Sequence, residues 1–342
     1  MKSEKVLEIE GLSITYESVN GKVNALEDIS LEIKPSEFVA IVGESGSGKS
    51  TLALSIIGLL PKSAIIRGDI VYKSVNLAGL KKKEWPKYRG LEIGMIFQEP
   101  MTSLNPIEKV NKQLEETVNI AESKKKSPGP EENADVGGSD RGPTLEKTLV
   151  HKHVIEWLRR VRIADPESVA ERFPFQLSGG MVQRVMIAMA LSLHPSLLLA
   201  DEPTTALDVT TQAQILKLMK SLVSEAQTSI LLITHDLGVA AQVADRIVVL
   251  YAGEIVEDGT VEQIFSNPLH PYTKGLLKCY PKSASTKERL ETLAGSVPDL
   301  RAEIKGCKFA DRCPYVTERC REESPHYIQV ESNHHAKCTL YY

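Results

Sequence analysis

The chain has 342 residues, 42% of them hydrophobic and 25% charged, which is enough for one large domain with a smaller one beside it. Its formal net charge of −4 gives no overall basicity, so composition offers nothing toward a general nucleic-acid binder. Met1 to Lys5 run straight into an alternating strand with no signal pattern, and no apolar run approaches the ~18 residues a membrane span needs. The expectation is a soluble, cytoplasmic chain whose membrane role, if any, comes through partner chains.

Residues 6 to 9, 12 to 16 and 29 to 33 read as short strands whose alternation predicts an antiparallel sheet with one wet face. Tyr16 stands before a polar loop at 17 to 22, where its ring either stacks on an adenine or packs on strand neighbours. A buried strand at 38 to 42 then feeds Gly43-Glu44-Ser45-Gly46-Ser47-Gly48-Lys49-Ser50-Thr51, and a helix-prone run follows. Strand, glycine-rich loop and helix in that order make a phosphate-binding P-loop. Its glycines let successive N–H groups turn inward, and the helix adds its positive end. Lys49 would reach the β- and γ-phosphates, and the Ser50 hydroxyl would ligate Mg²⁺.

Residues 67 to 72 read as another strand, and the basic stretch 81 to 85 as helix with a solvated face. A buried strand at 93 to 97 ends in Gln98, unremarkable alone. After a P-loop, its amide is positioned to touch Mg²⁺ or an attacking water at the sheet's carboxyl edge. Residues 121 to 148 are polar and rich in Gly, Pro and charge, most of them expected to form a mobile insertion within a mainly helical subdomain at about 99 to 172.

A second cluster opens at Leu177-Ser178-Gly179-Gly180-Met181, ahead of a buried helix whose start offers N–H groups to an anion. The apolar strand 197 to 200 then delivers Asp201 and Glu202. Asp201 is placed to hold Mg²⁺ through a water and Glu202 to take a proton from an attacking water. A last buried strand at 230 to 234 leads to His235, either a γ-phosphate partner or a structural histidine.

The order of Tyr16, Gly43 to Thr51, Gln98, Leu177 to Met181, Leu199 to Glu202, Ala206 to Asp208 and His235 resembles the nucleotide-binding subunits of ABC transporters. These are their A-loop, Walker A, Q-loop, signature, Walker B, D-loop and switch histidine, and the resemblance spans residues 6 to about 260. Phe97 to Pro106, Ala200 to Thr210 and Asn267 to Thr273 are similar to the dipeptide and oligopeptide import ATPases. Met181 stands where the signature usually has glutamine, as is common in that subfamily, and the 121 to 148 insertion is longer than expected.

The resemblance implies an α/β P-loop ATPase with a mostly parallel sheet, an N-terminal antiparallel subdomain and an inserted helical subdomain over residues 1–262. A small C-terminal extension over 263–342 follows. It implies two ATP molecules sandwiched between two subunits, the P-loop of one facing Ser178, Gly179 and Gly180 of the other, with Asp208 at the D-loop. Glu202, His235 and Gln98 are the implied catalytic residues, and Ser50, Gln98 and Asp201 the Mg²⁺ ligands. The implied partners are a second ATPase subunit, a non-identical paralogue with a homodimer as the alternative, two transmembrane permeases and an extracytoplasmic solute-binding protein, on the cytoplasmic face of the membrane.

Four of the five cysteines sit in the tail, at Cys307, Cys313, Cys320 and Cys338. Their intervals lack the close pairs usual for zinc, so spacing alone leaves an iron–sulfur cluster, zinc and free thiols open. Residues 306 to 314 look like the peptide-import extension, and the resemblance implies a [4Fe–4S] cluster. Cys279 reads as a small buried residue. Importers of oligosaccharides or nickel and soluble ABC ATPases are the alternatives. A soluble ABC ATPase would usually show tandem cassettes or a long coiled coil, and an inert nucleotide-binding module would lack Glu202 or His235.

Overall fold

The computed structural model describes residues 5–18, 21–126, 143–205, 207–279 and 293–342. The first elements are β1 (Leu7–Ser18), β2 (Gly21–Ile33), β3 (Phe38–Val42), α1 (Lys49–Ile56), β4 (Ala64–Tyr72), β5 (Val75–Asn76) and β6 (Ile93–Ile96). Next come α2 (Pro100–Ser103), α3 (Val110–Lys126), α4 (Pro143–Arg160), α5 (Pro166–Ala170), α6 (Gly179–Ser192), β7 (Leu197–Asp201) and α7 (Val209–Ala226). The rest are β8 (Ser229–Thr234), α8 (Leu237–Val243), β9 (Arg246–Tyr251), β10 (Glu254–Thr260), α9 (Val261–Ser266), α10 (Pro271–Lys278), α11 (Glu318–Glu322), β11 (Tyr327–Glu331) and β12 (His334–Lys337). Contacts divide the chain into two compact units, Met1–Trp85 with Ser229–Tyr342, and Pro86–Thr228.

In the first unit, β2, β1, β4 and β5 form an antiparallel sheet in that order. The two short strands expected at 6 to 16 are one strand. Gly11, at φ 56°, absorbs the irregularity as a bulge beside which the register to both neighbours shifts, so the chain bends without leaving the sheet. Leu7, Ile9, Leu12 and Ile14 stay buried on either side of it.

The unit's other sheet runs β11-β12-β10-β9-β3-β8. Strands β8 and β9 flank β3 in parallel, and β3 and β8 are buried throughout, the reason their sequences are unbroken apolar runs. The parallel pairing expected of the core sheet is present here through β9, β3 and β8. β10, β12 and β11 are antiparallel, because the short turns joining β9 to β10 and β11 to β12 leave no room for a crossover. Arg246 ties this frame together, pairing with Glu37 before β3 at 2.8 Å and Asp258 on β10 at 2.7 Å, and donating to Glu32 O on β2.

Residues 81 to 84 are turns rather than α-helix, and Trp85 opens a short 3-10 helix, Trp85–Lys87. Lys81 N–H donates to Glu84 Oε2 at 2.8 Å, Pro86 disfavours helical backbone before it, and Trp85 is buried against Gly58, where a Cβ would sit 2.1 Å from the indole.

The second unit pairs β6 and β7 in parallel, Ile96 opposite Ala200, and holds α2 to α7. Residues 121–126 end α3 and 143–148 begin α4, both within the expected insertion: its Glu and Lys residues favour helix however polar they are, and Pro143 suits a first helical position. Its remainder, 127–142, lies outside the described residues. No helix among the described residues is long and apolar enough to cross a membrane.

Candidate functional site

In the first unit the P-loop leaves β3 and closes into α1 through Gly48, at φ 102°. Two of its glycines are forced by close approach. A Cβ on Gly43 would lie 2.1 Å from Leu250 O, and one on Gly48 would lie 2.6 Å from Ala25 O. The buried Lys49 ammonium donates to Gly43 O and Glu44 O, both at 2.8 Å, and so lies across the loop whose carbonyls it binds. Ser45, Gly46 and Ser50 are exposed, while Ser47 is buried and its Oγ has no hydrogen-bond partner among the described residues. The Tyr16 hydroxyl donates to Thr51 Oγ1 at 3.3 Å, which puts this ring beside the start of α1.

Because β3 and β8 run in register with Val42 opposite Thr234, Gly43 and His235 leave the sheet side by side at its carboxyl edge. Asp236 then caps α8, accepting from Gly238 N–H at 2.7 Å and Val239 N–H at 3.2 Å, which fixes the backbone immediately after the exposed His235.

In the second unit, Gln98 and Glu202 meet beyond the ends of the paired strands β6 and β7. Glu202 Oε2 accepts from Gln98 Nε2 at 3.1 Å and from Thr205 Oγ1 at 2.9 Å. Glu202 has φ 44°, a left-handed conformation that costs a non-glycine residue about 1–2 kcal/mol. Such strain concentrates where a side chain must be aimed. Asp201, one position earlier, is buried.

The same unit brings Ser178, Gly179, Gly180 and Asp208 together around one surface pocket, which Arg184 also lines. Ser178 caps α6 and accepts from Met181 N–H at 3.4 Å; Asp208 caps α7 and accepts from Thr211 N–H at 3.0 Å. That bond holds the Asp208 carboxyl below the usual carboxylate range. A Cβ on Gly180 would sit 2.9 Å from Thr211 Cγ2, so the start of α6 packs closely against α7 and a larger residue there would make the Thr211 side chain shift. The start of α6 and the Arg184 guanidinium favour an anion in this pocket, while the Asp208 carboxylate is held by the start of α7. Ala206 lies outside the described residues.

Cys307, Cys313, Cys320 and Cys338 line one small pocket, with Phe309 and His270 on its wall, and none is in a disulfide. Burial pushes the Cys307 thiol up to about 12 and raises Cys313 and Cys338 as well. Burial acts the same way on Cys320, but hydrogen bonds with Thr317 and Thr339 outweigh it and lower that thiol. Among the described residues, no group of three or more His, Cys, Asp or Glu side chains is placed to hold a metal ion. Cys279 is half-buried, more open than expected.

A family model described as ABC transporter matches residues 26–205, over half of the chain. The chain belongs to the ABC transporter family. A second model, described as the C-terminal region of oligopeptide/dipeptide transporters, matches residues 256–320 of this ABC ATPase. Among curated relatives, the oligopeptide transport ATP-binding protein OppD of Bacillus subtilis is 44% identical over 98% of this chain and 89% of its own. The dipeptide transport ATP-binding protein DppD of Lactococcus lactis is 44% identical over 99% and 92%. Among solved structures, the dimeric ATP-binding cassette MJ0796, bound to ADP and Pi in a post-hydrolysis state, matches with a TM-score of 0.60 and 30% identity. That match covers 75% of this chain and 98% of MJ0796. cbiO1 of Clostridium perfringens, part of the cbiONQ ABC transporter complex, matches at 0.59 and 26%, covering 77% and 92%. The P-loop fold with mixed α/β sheets is thus that of an ABC ATPase.

The structure adds three partners that sequence reading passed over: Thr205 on Glu202, and Tyr272 and Arg312 on the P-loop residue Glu44. Thr205 and Tyr272 lie in quoted motifs but carried no role, and no spacing signals Arg312.

Proposed function

We propose that this ABC ATPase hydrolyses ATP to drive uptake of dipeptides or oligopeptides through partner permeases. The observation that carries the cargo is the oligopeptide/dipeptide C-terminal match at 256–320, joined to near full-length similarity to OppD and DppD. In this reading Gly43 to Thr51 cradle the triphosphate and Tyr16 stacks on the adenine. Ser50, Gln98 and Asp201 hold Mg²⁺, Glu202 accepts a proton from the attacking water, and His235 bonds the γ-phosphate. Ser178, Gly179, Gly180 and Asp208 receive the ATP of a second, non-identical ATPase subunit. Their shared anion-suited pocket supports that role, and the dimeric MJ0796 cassette offers the same assembly by likeness. Two permeases and an extracytoplasmic solute-binding protein complete the machine at the cytoplasmic face of the membrane. The ATPase unit takes residues 1–262 and the extension 263–342.

The same reading gives Cys307, Cys313, Cys320 and Cys338 to a [4Fe–4S] cluster. Four free thiols around one pocket support it, since a cluster takes its sulfurs at the corners of a body larger than one ion. Raised thiols would ionise only against the positive charge such a group supplies.

Uptake in cells lacking this chain tests the proposal, with labelled dipeptides, a longer peptide, a disaccharide and nickel offered, and rescue by wild type and by Lys49→Ala. Loss of peptide uptake restored by wild type alone supports the cargo. Loss confined to sugar or nickel keeps the machine and replaces the cargo, and no loss of any solute favours a soluble ABC ATPase.

A further inference from the structure

The cysteine-bearing stretch of the tail sends two cations into the frame of the P-loop. Arg312, the neighbour of Cys313, grips both carboxylate oxygens of Glu44, at 3.0 Å each. Its side chain is only 5% exposed, lies over the rings of Tyr251 and Phe309, and is fixed further by Ala294 O at 2.9 Å. Glu44 is thereby bound at three groups: its N–H donates to the Tyr272 hydroxyl at 3.0 Å, its carbonyl takes the Lys49 ammonium, and its carboxylate takes Arg312. Lys308, the neighbour of Cys307, donates to Ala252 O at 3.0 Å and pairs with Glu27 at 2.7 Å. Ala252 and Gly253 form the turn between β9 and β10, and Gly253 N–H donates to Ser47 O of the P-loop at 2.9 Å. One cation therefore reaches the beginning of the loop directly, and the other reaches its end through one turn.

A carboxylate inside a loop that must accept a triphosphate repels its ligand unless it is neutralised. A loop held in shape beforehand also spares the ordering cost at binding. Arg312 answers both needs, and its planar fork suits a carboxylate as an ammonium does not. We propose that Arg312 is a positioning residue for nucleotide binding, holding Glu44 neutralised and the P-loop open to MgATP, so that the fold of the cysteine-bearing stretch sets nucleotide affinity. Lys308 supports the loop's other end. This inference rests on the reading of the P-loop as the ATP site.

The test is calorimetric MgATP binding, with steady-state hydrolysis and thermal unfolding alongside, on the full chain and its Arg312→Ala, Arg312→Lys, Glu44→Ala, Glu44→Ala/Arg312→Ala and Lys49→Ala variants. Arg312→Ala should weaken binding about tenfold, equivalent to ~1.4 kcal/mol, and raise KM with kcat within about twofold. Arg312→Lys should recover little of this and still unfold near the wild-type temperature. In the Glu44→Ala background, Arg312→Ala should cost less than about twofold. Unchanged binding by Arg312→Ala and Arg312→Lys, or an equal loss with Glu44 absent, overturns the inference while Lys49→Ala still abolishes binding. Retained binding by Lys49→Ala overturns the ATP-site reading itself.

Discussion

Gln98 and Glu202 meet at 3.1 Å, the amide of one donating to the carboxylate of the other from the ends of two neighbouring parallel strands. Thr205 donates to the same oxygen at 2.9 Å, so two side chains aim this carboxylate. A base needs an oxygen basic enough to take the proton from water, and the neutral amide oxygen of glutamine is not. Glu202→Gln should therefore keep MgATP binding and lower hydrolysis by about 10²–10⁴-fold, the range removal of a general base produces. Gln98→Ala should cost less, since the amide orients rather than accepts. Phosphate release under saturating ATP, beside an equilibrium binding measurement, checks both. Wild-type turnover in Glu202→Gln would remove Glu202 from the role of base.

The glycines of the P-loop are unequal, and stability measurements should separate them. A Cβ on Gly43 would strike the backbone oxygen of Leu250 at 2.1 Å, and backbone cannot rotate away. Gly46 has open space around its missing Cβ and only its φ of 79° to lose. Gly46→Ala should cost about 1–2 kcal/mol of backbone strain. Gly43→Ala should cost more and weaken MgATP binding, because β9 or the loop must shift. Urea midpoints of the two variants decide; an equal cost would mean that the contact at Leu250 does not constrain the loop.

The P-loop and the strands that deliver Asp201, Glu202 and His235 were legible because parallel strands buried on both faces are written as plain apolar runs that end at the chemistry. Their glycines and charges follow within a few residues, so local pattern suffices. What joins distant segments was not legible. Nothing local to Arg312 says that it reaches Glu44, and nothing local to Gln98 says that it reaches Glu202. In the tail, β11 and β12 went unread because their exposed faces are polar and His334, buried against Glu257, does not look like core. Gly11 and the lysines before Trp85 misled in the opposite sense. The glycine bends a strand rather than ending one, and the lysines would favour helix but for the proline and the indole beside them.

The four tail thiols give a prediction about loading. Burial keeps Cys307, Cys313 and Cys338 protonated at neutral pH, so any group they bind as thiolates must displace their protons. Iron and sulfide uptake by metal-stripped protein under anaerobic conditions should therefore be greater at pH 8.5 than at pH 6.5. Cys307→Ser and Cys313→Ser should block it and Cys279→Ser should not. Chain purified anaerobically without iron or sulfide, and unable to take them up, would leave the thiols as a structural cluster only.

Arg246 should be a costly anchor to remove. Its side chain is 15% exposed, and those of Glu37 and Asp258 are 13% and 12%, so deleting it strands two carboxylates away from water. Breaking a buried ion pair by removing one partner costs about 3–5 kcal/mol, and Arg246→Ala should fall in that range by urea unfolding at pH 7. Arg246→Lys keeps the charge but cannot serve Glu37, Asp258 and Glu32 O together, so it should lie between. The pH dependence has a definite sign. Burial already raises the Asp258 carboxyl, with Arg246 pulling it back down. Without Arg246 the folded state holds a proton there more tightly than the unfolded chain does, so stability is regained as pH falls through the raised folded value. The deficit of Arg246→Ala against wild type should shrink between pH 7 and pH 5. An equal deficit at both, or one below about 1 kcal/mol, would show that the pair is solvated and contributes as a surface salt bridge does.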